Sequence, residues 1–165
     1  FHCPNGLHVR EISPRLAVLL FRTGFRTIRF GFETASAARQ ESTGGKVTTA
    51  ELRQAVAYLR EAGYASRDIG VYLLCGLPGQ PSREMVAGID LVAAAGARPI
   101  LAEYSPIPGT PLWDEALGDA RYDIAGEPLF HNNTLLPCLP REIAPDDFQA
   151  LKTRARESAV NEGSR

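Results

Sequence analysis

Hydrophobic residues recur at two different periods along the first two thirds of the chain. Large apolar residues at helical spacing follow Ser13, Thr48 and Ser82, each of which can cap a helix, and each series stops at a glycine. Strands are expected near 26–33, 68–75 and 98–103. The second of them is almost wholly apolar, as in a strand covered on both faces. This order predicts an α/β fold with parallel strands and right-handed crossovers.

The last third of the chain lacks this pattern. The periodicity fades, and residues 118–140 have the Gly, Asn, Asp and Pro content of an irregular connection. A final helix is expected to begin at Asp146 and Asp147, where acidic side chains suit the helix dipole. We therefore expect an α/β part over 1–117, followed by a connection and a C-terminal helix over 118–165.

The charge balance and the apolar content limit the functions that the chain can have. Its 18 basic and 19 acidic residues give a net charge of −1, so no global field attracts nucleic acid or anionic lipid. No apolar run approaches the roughly 18 residues needed to cross a bilayer. A hydrophobic content of 44% over 165 residues is enough for one globular core. We expect neither a nucleic-acid partner nor a membrane segment.

The cysteines and histidines do not have the spacing of a metal site. Cys3, Cys75 and Cys138 are far apart and odd in number, which favours reduced thiols in a cytoplasmic protein over disulfides or cluster ligands. The histidines, which we interpret as hydrogen-bonded structural residues, are His2, His8 and His131. We assign no metal ligand within the chain.

Residues 43–47 resemble a phosphate-binding loop only superficially. Gln40 stands where such a loop has its first glycine, and Val47 replaces the hydroxyl residue. We therefore reject a nucleotide-binding loop at this position.

Ligands are expected at the carboxyl ends of the predicted strands. In parallel β/α folds, the connections after the strands and the amino ends of the helices converge at that rim. The segments that reach it are 5–8, 31–34, 76–80 and 103–109. We expect these segments to line one pocket.

Four short motifs in these segments occur together and in order. They are Phe-His-Cys-Pro-Asn-Gly-Leu-His at 1–8, Gly-Phe-Glu-Thr at 31–34, Leu-Cys-Gly-Leu-Pro-Gly-Gln at 74–80 and Tyr-Ser-Pro-Ile-Pro-Gly-Thr at 104–110. In register, they resemble the later half of radical S-adenosylmethionine (SAM) enzymes over about 1–117. The resemblance implies an incomplete (β/α) barrel, the C-terminal part of that family's six-stranded partial barrel. Phe1–Cys3 would then end the strand before the first predicted one.

The resemblance also implies a parent enzyme with two cofactors. Enzymes of this family use a [4Fe–4S] cluster to cleave SAM reductively, and their three cluster cysteines lie upstream of the segment that Phe1–Cys3 resembles. We therefore expect a truncated chain that contributes part of the SAM and substrate pocket and is inactive alone. Relatives with an upstream cobalamin-binding domain share these motifs, so cobalamin is a further cofactor that the parent could use. The substrate and the catalytic residues stay unassigned.

Three candidate SAM-binding residues follow the first two predicted strands. Glu33 is similar to the family's polar residue that hydrogen-bonds the ribose or the amino-acid part of SAM, and the alternative is a surface carboxylate paired with Arg26 or Arg29. Gly76 is similar to the glycine that lets the strand backbone approach the adenine, while Pro78 fixes the turn. The alternative is a loop that binds no ligand.

Three more candidates lie at the other segments of the rim. Tyr104 and Ser105 close the last predicted strand, where the family contacts the adenine, although an aromatic residue there is more often packed in the core. Asn5 resembles a rim residue that faces SAM or substrate, and it could equally be a turn residue. Gln80 stands where many relatives carry glutamate, which puts a charged role at that position in doubt.

A second hypothesis is a complete small α/β binding or interaction module without SAM chemistry. It explains the lack of cluster cysteines without truncation. Under the first hypothesis, loss of the preceding strands exposes the edge of an apolar sheet, and such edges invite pairing. We then expect the fragment to self-associate or to be only marginally stable.

Overall fold

The structure is a computed structural model that describes residues 1–3, 5–42 and 47–158. Its helices are α1 (Pro14–Arg22), α2 (Ala37–Ser42), α3 (Thr49–Glu61), α4 (Ser82–Ala94), α5 (Trp113–Asp119) and α6 (Pro145–Glu157). Its strands are β1 (Ile28–Glu33), β2 (Ile69–Cys75) and β3 (Arg98–Glu103). Most of the segment that superficially resembles a phosphate-binding loop lies outside the described residues. Within those residues, no helix combines the length and the apolar character needed to cross a membrane.

The three strands form one open parallel sheet in the order β1-β2-β3. Ile28 pairs with Ile69 at the start of the first ladder, and Gly70 pairs with Arg98 at the start of the second. Helix α3 lies in the connection from β1 to β2, and α4 connects β2 to β3. The α/β fold class with parallel strands is therefore confirmed.

The predicted helix starts agree with the structure at two of the three sites. The Ser13 hydroxyl accepts a hydrogen bond from the Leu16 N–H over 3.2 Å. The Thr48 hydroxyl accepts from the Glu51 N–H while the Glu51 carboxylate accepts from the Thr48 N–H, which is a complete capping box.

The expectation that Ser82 caps α4 is wrong. Ser82 is the first helical residue, and the residue before the helix is Pro81, with φ −74° and ψ 151°. The helix begins one residue earlier than expected because Pro81 already has the extended conformation of a capping residue, and the Glu84 N–H donates to the Pro81 carbonyl over 3.0 Å.

The core lies between the sheet and its helices. Side chains on one face of β1 and β2, such as Phe30, Val71 and Leu73, are at most 3% exposed and pack with Leu52 of α3 and Ile89 of α4. Burial of these apolar side chains drives the layers together.

The opposite face of the sheet is less covered. Tyr72 and Leu74 are only half-buried, whereas their neighbours on the helix face are buried. The expectation that β2 is fully covered on both faces is therefore wrong. The reason is that α3 and α4 pack on the same face of the sheet, so its other face is left with less cover.

The N-terminal segment runs beside β1 but forms no regular strand within the described residues. Parallel bridges pair His2 with Thr27 and Leu7 with Phe30. Gly6 lies so close to β1 that a Cβ there would sit 2.9 Å from the Gly31 nitrogen, which only glycine avoids. The strand end expected at Phe1–Cys3 is thus reduced to an isolated contact at the start of β1.

The last part of the chain packs back on the sheet. Arg121 donates to the carbonyls of Leu139, Pro140 and Ile143, which fixes the irregular segment that follows α5. Helix α6 lies against β3, where Lys152 forms an ion pair with Glu103. The expected division between 117 and 118 falls inside α5.

Candidate functional site

The connections that follow the three strands meet at one cleft of about 430 Å³. Its lining residues are Glu33, Arg39, Leu77, Tyr104, Ser105, Ile107, Thr110, Pro111, Leu112 and Glu115. Its volume falls within the range of roughly 300–1,000 Å³ that is typical of small-molecule sites. The cleft contains three of the six predicted SAM-binding residues.

Glu33 ends β1 in an unusual backbone conformation. Its φ is 68°, and the Thr34 N–H donates to the Phe32 carbonyl over 2.9 Å, so that Glu33 is the centre of a tight three-residue turn. The β1–β2 register shifts between Gly31 and Glu33. This irregularity ends the strand and places Glu33 in the wall of the cleft.

Arg29, one of the two alternative partners of Glu33, lies at the other end of the strands. Its guanidinium donates to the Ile28 carbonyl over 2.9 Å and to the Asp68 carbonyl over 3.4 Å. Both acceptors lie at the start of β1 or just before β2, whereas Glu33 ends β1. Arg29 therefore stabilises the amino ends of the strands.

The side chain of Gln80 holds the loop after β2. Gln80 is 2% exposed, and its side-chain carbonyl accepts from the N–H groups of Gly76 and Leu77 over 2.9 and 3.3 Å. Its amide donates to the Leu74 carbonyl over 3.0 Å. A neutral amide, which both donates and accepts, satisfies this buried loop. Gln80 is thus a structural residue that presents Leu77 to the cleft.

Gly76 and Pro78 shape this loop from behind the cleft. Gly76 has φ 75°, and a Cβ there would lie 3.7 Å from the Leu139 backbone, so its open side faces the irregular segment. The buried Pro78 offers its carbonyl to the Arg39 guanidinium over 3.2 Å. Neither residue lines the cleft, and only their neighbour Leu77 does.

Tyr104 joins the end of β3 to the cleft. Its N–H donates to the Cys75 carbonyl over 2.8 Å, which ties it to the end of β2. Within the part of the chain that the structure describes, its hydroxyl oxygen is buried without a hydrogen-bond partner. Burial raises the pKa of this phenol, and the nearby Cys138 and Glu115 raise it further. A buried hydroxyl without a partner is costly to the fold.

Ser105 connects the cleft to the irregular segment. Its hydroxyl donates to the His131 carbonyl, and the His131 ring lies 2.6 Å from the Ile124 carbonyl through Nε2. The same ring stacks edge-on against Trp113 at 5.3 Å. His131 is therefore a hydrogen-bonded and packed structural residue, and its contacts fix the end of the cleft near α5.

Asn5 lies away from the other candidates. It is exposed, its carbonyl accepts from the Cys3 thiol over 3.1 Å, and it does not line the cleft. Because His2 pairs with Thr27 and Leu7 pairs in parallel with Phe30, Asn5 lies beside the start of β1 and not at its carboxyl end.

Two charged residues of the cleft have no counterpart in the sequence-based prediction. Arg39 lies on α2, a short helix that the hydrophobic pattern does not predict, and Glu115 lies on α5. The acidic pair Asp114 and Glu115 just after Pro111 is a sequence signal for a helix start at α5. Arg39 has no comparable signal, because its place depends on tertiary contacts.

The thiols of this chain do not fit an iron–sulfur cluster. Burial raises the pKa of Cys75 to about 12 and that of Cys138 to about 11, whereas cluster ligands are thiolates. Within the described residues, no group of three His, Cys, Asp or Glu side chains could hold a metal ion. The described residues therefore do not form a cluster site.

A second cavity lies on the other side of the loop after β2. It has a volume of about 470 Å³ and is lined by Gly79, Asp119 and Arg141, among others. The Asp119 carboxylate accepts a hydrogen bond from the Gly79 N–H, which fastens α5 to this loop. None of the six predicted site residues lines it.

Comparisons with known proteins agree with this architecture. No family model matches the chain. No curated protein matches it either. Among solved structures, the chain is similar to coproporphyrinogen III oxidase (HemN) from Escherichia coli, described as a radical SAM enzyme, with a TM-score of 0.54 and 19% identity. The match covers 65% of this chain and 25% of that enzyme.

This likeness concerns the fold. The chain matches only a quarter of the enzyme's length, and 19% identity does not carry the enzyme's activity across. The three parallel strands with helices on one face correspond to part of a barrel. The chain therefore has an α/β fold similar to that of part of this enzyme.

Proposed function

We propose that this chain forms part of the SAM and substrate pocket of a radical SAM enzyme. The observation that carries the proposal is the meeting of Glu33, Leu77 and Tyr104, which follow three adjacent parallel strands, in one cleft. Ligands of parallel β/α folds bind at this end of the strands. The fold likeness to a radical SAM enzyme supports the same interpretation.

The chemistry of the cleft suits an adenosyl ligand with hydroxyl and ammonium groups. The Glu33 carboxylate can accept hydrogen bonds from such donors, and charge-assisted bonds are the stronger ones. Tyr104 lines the cleft and offers an aromatic ring against which a base can pack. Ile107, which is 59% exposed, adds apolar surface for a flat base, while Leu77 is only 1% exposed. We propose Glu33, Tyr104 and Ser105 as the residues that face SAM. Asn5, expected from its motif to face the same pocket, does not line the cleft and is not included.

Gly76 and Pro78 have an indirect role in this proposal. They set the turn that brings Leu77 to the cleft, and the Gly76 N–H is already bonded to Gln80. In the proposed enzyme, a cluster and SAM would supply the radical chemistry, and none of the residues that the structure describes would hold the cluster. The present residues bind and orient the ligand and exclude water from it.

Two further expectations belong to the proposal. The free thiols Cys3, Cys75 and Cys138 are compatible with a reducing cytoplasm, which we propose as the location. Cobalamin in the parent protein stays an expectation of the sequence resemblance, and no feature of the structure adds support to it.

The test is the affinity of the chain for S-adenosylhomocysteine, measured by isothermal titration calorimetry. We expect Glu33→Ala to weaken binding by about 1–3 kcal/mol, because the ligand loses a charge-assisted hydrogen bond. Glu61→Ala is the matched control, since this carboxylate is exposed at the end of α3. Its affinity should equal that of the unmodified chain.

Two outcomes would count against the proposal. Equal affinity of the Glu33→Ala chain and the unmodified chain would remove Glu33 from the site. A lack of binding of any adenosyl compound by the unmodified chain would favour the second hypothesis, a small α/β binding or interaction module without SAM chemistry.

A further inference from the structure

The turn at Glu33 is a strained element of the cleft. A positive φ of 68° is rare for a glutamate, and the hydrogen bond from Thr34 N–H to Phe32 O closes the less common form of γ-turn. Such conformations persist only where the surrounding structure holds them. The contacts that hold this turn are therefore part of the site.

Thr34 is the residue through which the turn is held. It is 3% exposed, and its hydroxyl donates to Glu84 Oε1 over 2.6 Å while accepting from the Ser36 N–H over 3.1 Å. Its carbonyl accepts from the Gln40 amide over 2.7 Å. Each of these bonds fixes the residue that directly follows Glu33.

Glu84 is the far end of this network. It lies in the first turn of α4, and the same Oε1 atom that binds Thr34 also accepts from Arg39 Nε over 3.1 Å. The side chains of Arg39 and Glu84 are only 18% and 13% exposed. Arg39 in turn donates to the Pro78 carbonyl. One carboxylate thus joins the connection after β1 to the connection after β2.

Glu84 does not line the cleft itself. It borders a small internal space of about 10 Å³ that it shares with Glu33, which is too small for a ligand. Any effect of Glu84 on a ligand in the cleft must therefore pass through Glu33, Thr34 or Arg39.

We infer that Glu84 is a positioning residue: by holding Thr34 and Arg39, it keeps Glu33 in the turn that directs its carboxylate into the cleft. This inference rests on the proposed function, because it concerns the binding of an adenosyl ligand by Glu33. The alternative is that the network only stabilises the fold and leaves ligand affinity unchanged.

A double-mutant cycle separates these possibilities. S-adenosylhomocysteine affinity is measured for the unmodified chain, Glu33→Ala, Glu84→Ala and the double variant. We expect Glu84→Ala alone to weaken binding about tenfold and to have a clearly smaller effect once Glu33 is alanine, because coupled residues are non-additive. The remaining effect would come from Arg39, which Glu84 also holds and which lines the cleft. Glu84→Gln keeps an oxygen that accepts from Thr34, so it should retain most of the affinity.

Hydrogen exchange tests the geometry independently of any ligand. The Thr34 amide, which closes the turn, should exchange faster in Glu84→Ala than in the unmodified chain, while amides in the middle of β2 should be unaffected. Thr34→Val removes the same link to Glu84 with little change in size, and it serves where Glu84→Ala fails to fold.

Equal losses from Glu84→Ala in both backgrounds, or an unchanged affinity, would overturn the inference. If the unmodified chain bound no adenosyl compound, the proposed function would fail. In that case faster exchange at Thr34 would still support the positioning of Glu33 by Glu84, and unchanged exchange would reject it.

Discussion

Glu33 occupies a backbone position that glycine would fill at lower cost. An L-residue with a left-handed φ pays roughly 1–2 kcal/mol, and strain of this kind concentrates where a side chain has a task. The chain retains a carboxylate at this position, at the end of β1 and in the wall of the cleft. We interpret the strain as the cost of a binding residue.

Glu33→Gly should therefore separate stability from binding. We expect the free energy of unfolding to rise by on the order of 0.5–1 kcal/mol, because relief of the strained φ exceeds the entropy that glycine adds to the unfolded chain. Binding of S-adenosylhomocysteine should weaken as in Glu33→Ala. Thermal and denaturant unfolding measure the first effect, and calorimetry measures the second.

The matched control for this change is Gln54→Gly. Gln54 is exposed in the middle of α3, where glycine should cost about 1 kcal/mol. A loss of stability in Glu33→Gly similar to that of the control would show that the turn carries no strain.

The buried thiols make the fold sensitive to alkaline pH. The pKa of Cys75 rises from 9.0 to about 12 because of burial, and that of Cys138 rises to about 11 for the same reason. A group whose folded pKa is raised holds its proton more tightly in the folded state, so stability falls as pH rises above its unfolded pKa. We expect the free energy of unfolding to decrease from about pH 9 upward.

The variant Cys75→Ala checks this assignment. It should lower stability at neutral pH through the cavity that it leaves, and it should flatten the decline at alkaline pH. Part of the decline should remain, because the pKa values of Cys138, Tyr64 and Tyr104 are also raised. An unchanged pH profile in the variant would contradict the assignment to Cys75.

At the scale of elements, local signals predict the long helices and the strands. Ser13 and the Thr48–Glu51 pair mark the starts of α1 and α3 because their side chains cap the helix backbone. The apolar run at β2 predicts a buried strand. These features depend on neighbours in sequence, which is why the α/β class is accessible from the sequence.

The short helices are not accessible in this way. Residues of α2 and α5 show no apolar period, and distant contacts hold both helices. Arg39 of α2 pairs with Glu84, and Asp119 of α5 accepts from the Gly79 N–H. Glu33 and Tyr104 belong to local motifs and could be predicted as candidates from the sequence. Arg39 and Glu115 become cleft residues only in the fold, because distant contacts place their helices.

The turn after β2 offers a test at the same scale. Gly76→Ala should lose about 1–2 kcal/mol, because its φ of 75° is left-handed while the nearest backbone atom leaves room for a Cβ at 3.7 Å. Gly118→Ala in α5 has open space and is the control, with an expected gain of about 0.4–1 kcal/mol. Equal effects of the two changes on chemical denaturation would contradict a conformational role for Gly76.

At the scale of the whole molecule, the layers are asymmetric. Helices cover one face of the sheet, while Tyr72 and Leu74 on the other face are half-buried. Exposed apolar side chains also accumulate in the N-terminal part of the chain, with Phe1 at 76% and Leu19 of α1 at 56% exposure. We call these two side chains the N-terminal apolar surface. Surfaces of this kind favour association.

We propose that the chain self-associates through its N-terminal apolar surface, which contains Phe1 and Leu19. Sedimentation velocity should reveal a concentration-dependent species larger than a monomer, and Leu19→Glu should shift the equilibrium towards the monomer because it places a charge in the contact. Leu129→Glu is the control, since Leu129 is 77% exposed but lies in the irregular segment. A monodisperse monomer at all concentrations would contradict the proposal.

The central claim is that an adenosyl group binds where the three strands end. A crystal structure of the 165-residue chain with S-adenosylhomocysteine tests it most directly. We predict the ligand between Glu33 and Tyr104. Ligand density in the larger cavity beside Gly79 and Arg141, with the cleft at Glu33 empty, would contradict the account.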